Sequence, residues 1–298
     1  MITLQKVSKV FNKTTAVDEL SFDVPEGSVF GLLGPNGAGK TTTIRMIMNI
    51  IQPDSGYIFI DGKPITADLY RNIGYLPEER GLYQKMKLKE TIVYFGTLKG
   101  LSKRESAKQA DRYLGQFDLK SYADRKIEEL SKGNQQKVQF VIAIIHQPDL
   151  IILDEPFAGL DPVNQMVLKD IISEFQSAGK TIIFSTHQME QIEKLCSTIC
   201  MINDGKRVLY GKLKDIKQNF GNRNFQIQFN GSKEQIADII ENGWELSDTQ
   251  LSGALDRNTN INDILKKVMS KVTISHVDII EPSLEQIFID QVKGGMKR

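Results

Sequence analysis

Apolar side chains recur at every second position through residues 2–33, as in Leu20, Phe22 and Val24, with interruptions at 12–15 and 25–27. That two-residue period belongs to half-buried strands and predicts a β-rich layer at the N-terminus. A short continuous apolar run over 29–33 predicts a buried strand; it stops at the glycine-rich stretch 34–39, after which 41–51 carries helical spacing. Residues 56–60 followed by Asp61-Gly62 predict a hairpin, and 73–76 predict a strand closed by Pro77. From residue 89 to about 147 the spacing is helical, which predicts an inserted helical subdomain at about 85–147. Two β-branched runs, 150–153 and 181–185, flank a helical pattern over 162–177 and return the chain to β-α-β order.

Lys, Asn and Gly dominate 211–224, and a domain boundary is expected there, separating residues 1–215 from an accessory domain at 222–298. In the second part, 224–229 alternates as a strand, 233–241 is helical, 244–255 has room for two strands, 261–270 is helical, 272–280 is a strand and 283–292 a helix. That succession predicts a small α+β domain of split βαβ type, with Phe225, Ile227, Trp244, Ile264 and Ile279 in its core. The fold class expected for the whole chain is α/β with this small α+β domain appended.

Length and charge narrow the function classes. At 298 residues, about two domains fit, each able to bury a core without disulfides. The longest unbroken apolar run is 140–145, far short of the ~20 residues a membrane-spanning helix needs, and residues 1–11 lack the features of a signal peptide. Lys plus Arg number 38 against 37 Asp plus Glu, with 12 of each sign from residue 212 onward, so no basic excess marks a nucleic-acid partner. Cys196 and Cys200 have no CxxC or histidine company and read as small apolar residues.

The chemistry concentrates in two places. Gly34-Pro35-Asn36-Gly37-Ala38-Gly39-Lys40-Thr41, with Thr42 next, fits G-x-x-x-x-G-K-[ST] between a strand and a helix. Glycines let successive backbone N–H groups turn toward one phosphate, and the helix N-terminus adds its positive end. Lys40 is expected to bridge the β- and γ-phosphates, and the Thr41 hydroxyl to ligate Mg²⁺. Residues 150–153 form an apolar strand ending in Asp154-Glu155, an arrangement suited to holding Mg²⁺ with Asp154 and orienting a water with Glu155. Asn12-Lys13-Thr14-Thr15 lacks the aspartate of a guanine reader, which favours ATP over GTP.

With these two motifs in place, residues 1 to about 215 resemble the ATP-binding subunits of ABC transporters. The resemblance turns on Leu130-Ser131-Lys132-Gly133-Asn134-Gln135, where Ser131 stands 23 residues before Asp154 and the segment is similar to the family's LSGGQ signature. It implies an ABC ATPase fold and an ATP-dependent dimer in which Ser131, Gly133 and Asn134 close over ATP held by the opposite protomer. Asp161, in Gly159-Leu160-Asp161, is implied at the dimer contact, and His187, in Ser185-Thr186-His187, as the switch histidine at the γ-phosphate. Phe11, 29 residues before Lys40, stands where the family places an aromatic that stacks on adenine; a structural role for it is the alternative. Two positions depart from the pattern: Glu78 replaces a glutamine, a side chain still long enough to reach Mg²⁺ or the attacking water, and Lys132 and Asn134 alter the signature. The signature, the 73–81 segment and the ending Glu281-Pro282-Ser283-Leu284-Glu285 together resemble the sodium-efflux type within the ABC exporters.

What the resemblance implies is an ATP-hydrolysing motor that drives an integral-membrane permease on a separate chain, and that sits in the cytoplasm against the inner membrane face. A soluble ABC ATPase of translation or DNA repair, or a regulatory module that binds ATP without hydrolysing it, are the competing readings. One phosphate loop and no sustained heptads weigh against the first, and the retained Lys40, Asp154, Glu155 and His187 against the second. The permease is expected to dock on 78–100, with Leu82, Tyr83 and Met86 as apolar surface.

Overall fold

A computed structural model describes residues 1–64, 72–79, 81–220, 223–255 and 259–295. Arg80 of the 73–81 segment, and residues 222 and 298 that bound the expected accessory domain, fall outside the described residues. The chain divides into two compact units, Met1–Leu213 and Lys214–Arg298.

In the first unit the alternating N-terminal stretch forms β1 (Ile2–Phe11) and β2 (Thr14–Val24), joined by a tight turn in which Asn12 and Lys13 take positive φ. With β4 (Ser55–Ile60) and the short β5 (Lys63–Pro64) they make an antiparallel sheet of order β2-β1-β4-β5. β3 (Val29–Leu33), buried at every residue, enters a second sheet of six strands. Its partners are β6 (Ile73–Leu76), β7 (Leu150–Asp154), β8 (Thr181–Thr186), β9 (Thr198–Asn203) and β10 (Lys206–Lys212), in the order β10-β9-β3-β8-β7-β6. All but β10 run parallel, and β7 and β8, apolar over 150–153 and 182–184, are buried at every residue, as strands covered on both faces are. Register then fixes the chemistry: Leu33 pairs with Thr186 and Asp154 with Ser185, so the ends of β3, β7 and β8 open side by side. Ligands of open α/β sheets bind at such carboxyl ends.

Helices α1 (Lys40–Ile47), α5 (Pro162–Ser177) and α6 (Met189–Leu195) accompany the six-stranded sheet. α2 (Leu88–Leu98), α3 (Lys103–Gln116) and α4 (Lys132–Ile144) make up the helical insertion, with α4 packed on β6. α1 ends earlier than its apolar spacing implied, because Asn49 turns left-handed at φ 51° and the chain leaves the helix there. β9 and β10 form a hairpin around Asp204-Gly205, both at positive φ, a two-residue turn signal. Cys196 and Cys200 are buried free thiols, and burial pushes both well up, the Cys200 thiol beyond any physiological titration.

α7 (Leu213–Phe220) spans the division between the units. The second unit holds β11 (Arg223–Asn230), β12 (Glu245–Leu246), β13 (Gln250–Leu255), α8 (Ile261–Met269), β14 (Thr273–Ile280) and α9 (Leu284–Gly295). Its sheet is antiparallel in the order β12-β13-β11-β14, the strand order of a split βαβ unit. The helix expected over 233–241 is instead two single 3₁₀ turns, Lys233–Gln235 and Ala237–Ile239. Ile236 is wholly buried at φ −113°, and Ile240 is extended, so seating the β-branched side chains breaks the helical path. Phe225, Ile227 and Ile264 are buried, with Trp244 edge-on to Phe225 at 4.9 Å. Ile279 corrects the expected core, for it lies at the end of an edge strand and is 45% exposed.

Candidate functional site

The turn between β3 and α1 needs its glycines for definite reasons. Gly39, the residue before α1, sits at φ 103°, and a side chain there would meet the Ala16 carbonyl oxygen at 2.4 Å; at Gly34 it would meet the Ile202 oxygen at 2.1 Å. The backbone therefore curls tightly against β2 and β9. α1 begins with no side-chain cap and no acidic residue in its first turn. Its N-terminal N–H groups, with the helix dipole behind them, present an anion site.

Above this turn lies a pocket of about 190 Å³ lined by Ala16, Asn36, Gly37, Gly39, Lys40, Thr41, Thr42, Glu78 and Glu155. Lys40 is 6% exposed, and its Nζ donates to the carbonyls of Gly34 at 2.9 Å and Pro35 at 3.1 Å. Burial draws its ammonium below the ordinary lysine range, against the opposing pull of Glu155, Asp154 and Glu78. Ala38, buried, donates its N–H to the Pro35 carbonyl and accepts at its own carbonyl from Gly205, which ties the turn to the β9–β10 hairpin.

Asp154 closes β7 with no exposed surface. Ser185 donates to its Oδ1, while its Oδ2 is buried and has no partner within hydrogen-bond distance among the described residues. Burial pushes the Asp154 carboxyl up, the Ser185 and Thr41 hydroxyls pull it down, and the charges of Glu78 and Glu155 push it up again. Glu155 adopts φ 49°, a left-handed backbone unusual for glutamate and common at functional turns. That turn aims its carboxylate at three donors: Oε1 faces the backbone N–H of His187 at 3.1 Å and the ring Nδ1 at 2.9 Å, and Oε2 accepts from Thr186 at 3.1 Å. Lys40 Nζ stands 3.9 Å from Oε1. Across the pocket the Thr41 hydroxyl donates to Glu78 at 3.3 Å.

The structure thus gathers Lys40, Thr41, Thr42, Asn36, Gly37, Gly39, Glu78 and Glu155 at one pocket, with Asp154 and His187 bonded around it. Phe11, Ser131, Gly133, Asn134 and Asp161 are not among its lining residues. Phe11 is 45% exposed at the end of β1, with the Lys9 ammonium 5.5 Å from its ring centre. Ser131 is the N-cap of α4 and accepts from the Asn134 N–H at 3.2 Å. Asp161 is the N-cap of α5, and the Asn164 N–H bonded to it holds its carboxyl below the usual range. A side chain on Gly133 would lie 3.2 Å from the Gly159 carbonyl, so the two caps are neighbours. Sequence reasoning missed Ser185 and Thr186 as the groups that hold the two carboxylates, and Ala16 as pocket wall. Two hydroxyls at the buried end of an apolar strand were the available signal for the first two.

Three acidic side chains facing one lysine leave the pocket in want of a cation, and the unpartnered Asp154 Oδ2 beside the Thr41 hydroxyl offers it ligands of the hard-oxygen kind. The uncapped helix wants an anion. The phosphates of a bound nucleotide meet the second demand.

Comparison with known proteins agrees with this chemistry. The family model "ABC transporter" matches residues 17–158, and "ATP-binding protein DrrA1-3-like, C-terminal domain" matches residues 211–292. Over 298 residues the chain is 43% identical to an uncharacterized ABC transporter ATP-binding protein, YhaQ, of Bacillus subtilis, covering 98% of each. It is 37% identical over 227 residues to the ABC transporter ATP-binding protein NatA of the same species, covering 74% of this chain and 92% of that one. Among solved structures, an ATP-binding subunit of an ABC transporter superposes with a TM-score of 0.69 at 31% identity, covering 74% of this chain and 93% of that chain. The chain belongs to the ATP-binding subunits of the ABC transporters, and it is an ATPase.

Proposed function

We propose that this ATPase is the motor of an exporter, and that two copies of residues 1–215 close on two ATP molecules to drive an integral-membrane permease on a separate chain. The observation that carries the reading is the division of the groups: Lys40, Thr41, Glu78 and Glu155 line one pocket, while Ser131, Gly133 and Asp161 cluster away from it. A site split in this way is completed by a second chain. In it Lys40 and the 34–39 turn hold the β- and γ-phosphates, with Asn36, Gly37 and Thr42 lining the cradle, and Phe11 stacks on adenine. Thr41 and Asp154, with Glu78 nearby, hold Mg²⁺, which when bound offsets phosphate charge. Glu155 orients the attacking water and accepts its proton, and His187 fixes the Glu155 carboxylate while facing the γ-phosphate. Ser131, Gly133 and Asn134 of the partner supply donors, and Asp161 braces the contact.

Glu78 in place of a glutamine adds a second carboxylate at the cation position and ties it to Thr41. The permease docks on 78–100, which runs from Glu78 at the pocket into the helical insertion. Tyr83, 53% exposed, stacks on Phe95 at 5.9 Å and meets Tyr94 edge-on, and Met86 is half-buried beside them. Leu82 is buried and belongs to the core, not to the docking surface. No helix among the described residues is long and apolar enough to cross a membrane. In this reading the transport path belongs to the permease, with this subunit at its cytoplasmic face. Residues 222–298 are the accessory domain. The sodium ion is the cargo suggested by the sodium-efflux resemblance, and uptake of ²²Na⁺ into inverted vesicles holding both chains tests it.

Mixing chains tests the split site. A heterodimer of one K40A chain with one S131R chain keeps one intact composite site and binds one ATP. Both changes in one chain, beside a wild-type chain, damage both sites. Equal ATP occupancy in the two heterodimers would overturn the assignment.

A further inference from the structure

The accessory sheet has two unlike edges. One is β12, only two residues long, Glu245–Leu246. The other is β14, eight residues long, which among the described residues is hydrogen-bonded as a strand to β11 alone. Natural edges are blunted by shortness, by lysine, by proline or by a bulge. β12 uses shortness. β14, Thr-Ile-Ser-His-Val-Asp-Ile-Ile, has no lysine and no proline, and its one irregularity lies between Ile274 and His276, leaving 276–280 in regular register. Ile279 and Ile280 are 45% and 48% exposed on this strand. An edge that is long, regular and apolar at one end is a template for another strand.

The sequence of the edge says which strand. Directly opposed residues of an antiparallel pair share a face, so a twofold axis perpendicular to the sheet must pass through a residue paired with itself. Centring on Asp278 sets two like charges face to face, which is destabilising. Centring on Val277 pairs Val277 with its own copy and sets His276 opposite Asp278 of the second chain, twice over. His276 and Asp278 already lie on one face, with Nε2 3.0 Å from a carboxylate oxygen, and both are more than half exposed. In the paired sheet they form an alternating row of four groups across the axis. The contact is isologous, as twofold dimers require.

We propose that β14 pairs antiparallel with β14 of a second copy about Val277, joining two accessory sheets into one of eight strands and holding two subunits together without nucleotide. The pairing does not depend on the ATP-site assignments. Its consequence for them is that closure over ATP becomes an intramolecular step, favoured by high effective concentration.

The test uses the full chain, free of nucleotide. V277C places two thiols across the axis at about 4.5–5.5 Å between Cα atoms, within disulfide reach. Mild oxidation is expected to give a covalent dimer, and buried Cys196 and Cys200 stay silent. T273C is the register control: eight residues separate it from the position opposite, 281, so its two copies stand about 27 Å apart and do not crosslink. K40A added to V277C leaves the yield unchanged. By sedimentation, H276D alone and D278K alone each weaken self-association about tenfold, whereas an equimolar mixture of the two pairs to within about threefold of wild type, because opposite charges then meet across the axis. A nucleotide-free monomer with no V277C dimer, equal crosslinking of T273C, or a mixture no tighter than the single variants would each overturn the proposal.

Discussion

Replacing Ser185 with alanine removes the hydroxyl that donates to Asp154 Oδ1 and that receives the Glu155 N–H at 3.3 Å. The serine is fully buried, so no solvent takes its place. In the cation-free protein Asp154 can relieve the loss by taking a proton, since burial already raises its pKa. Mg²⁺ needs it ionised, so the cost falls on the metal-loaded state. A hydrogen bond to a charged group contributes about 1.5–3 kcal/mol, which corresponds to a loss of about 10- to 150-fold in Mg²⁺ affinity. The assay is Mg²⁺ titration of S185A holding a fluorescent ATP analogue, with metal-free analogue binding measured alongside. The first should weaken by that factor and the second should stay within about twofold of wild type. A pH series adds a sign. A carboxyl with a raised folded pKa favours the folded state when protonated, so its contribution to stability is lost as pH rises from the unfolded value of 3.8 through the folded one. S185A extends that loss to higher pH, and the metal-free Tm should fall further below wild type at neutral pH than at pH 4. An unchanged Mg²⁺ half-saturation would refute the reasoning.

Lys40→Ala should reduce ATP affinity at least 100-fold, about 3 kcal/mol, because a buried ammonium held by two carbonyls is the main side-chain counterion of the phosphates; equilibrium dialysis measures it. Gly39→Ala must move the Ala16 carbonyl or abandon a φ of 103°, and should lower Tm by several degrees in calorimetry while weakening ATP binding. Glutamate at Tyr83 and Met86 should abolish co-purification with the permease and spare the ATPase rate of the isolated subunit; loss of both together would mean misfolding, and an intact complex would place docking elsewhere.

The parts of the fold legible in the sequence were those with a strong local signal. The strand-glycine-helix order around 29–47 could be read because a buried run, a compulsory turn and a helical period follow one another without overlap. α5 carries its own start, Asp161 as N-cap before Pro162, and its observed span is the one its spacing implied. Where local preference and tertiary packing compete, the reading failed. Residues 233–241 look helical, yet Ile236 is drawn into the core and leaves two short turns. Ile279 alternates as a core residue would, but nothing local announces that its strand is an edge. In the site, Lys40, Asp154 and Glu155 were legible because each motif fixes residue type and spacing. Ser185 and Thr186 were not, because their role arises from the register of β7 on β8, a pairing between segments about 30 residues apart.

Glu155→Gln is the most direct measurement of the central claim, that Glu155 activates water at a site two chains share. The amide keeps the shape and loses the proton acceptor, a change expected to cost about 10²- to 10⁴-fold in turnover. ATP is therefore bound and not consumed. Phosphate release and analytical ultracentrifugation should be run together on E155Q with Mg²⁺ and ATP. The account expects phosphate release near background and two ATP molecules co-sedimenting with each dimer; S131R then abolishes that ATP retention while the β14 pairing keeps the chains dimeric. Wild-type turnover in E155Q, or ATP trapped with equal stability by S131R/E155Q, would contradict it.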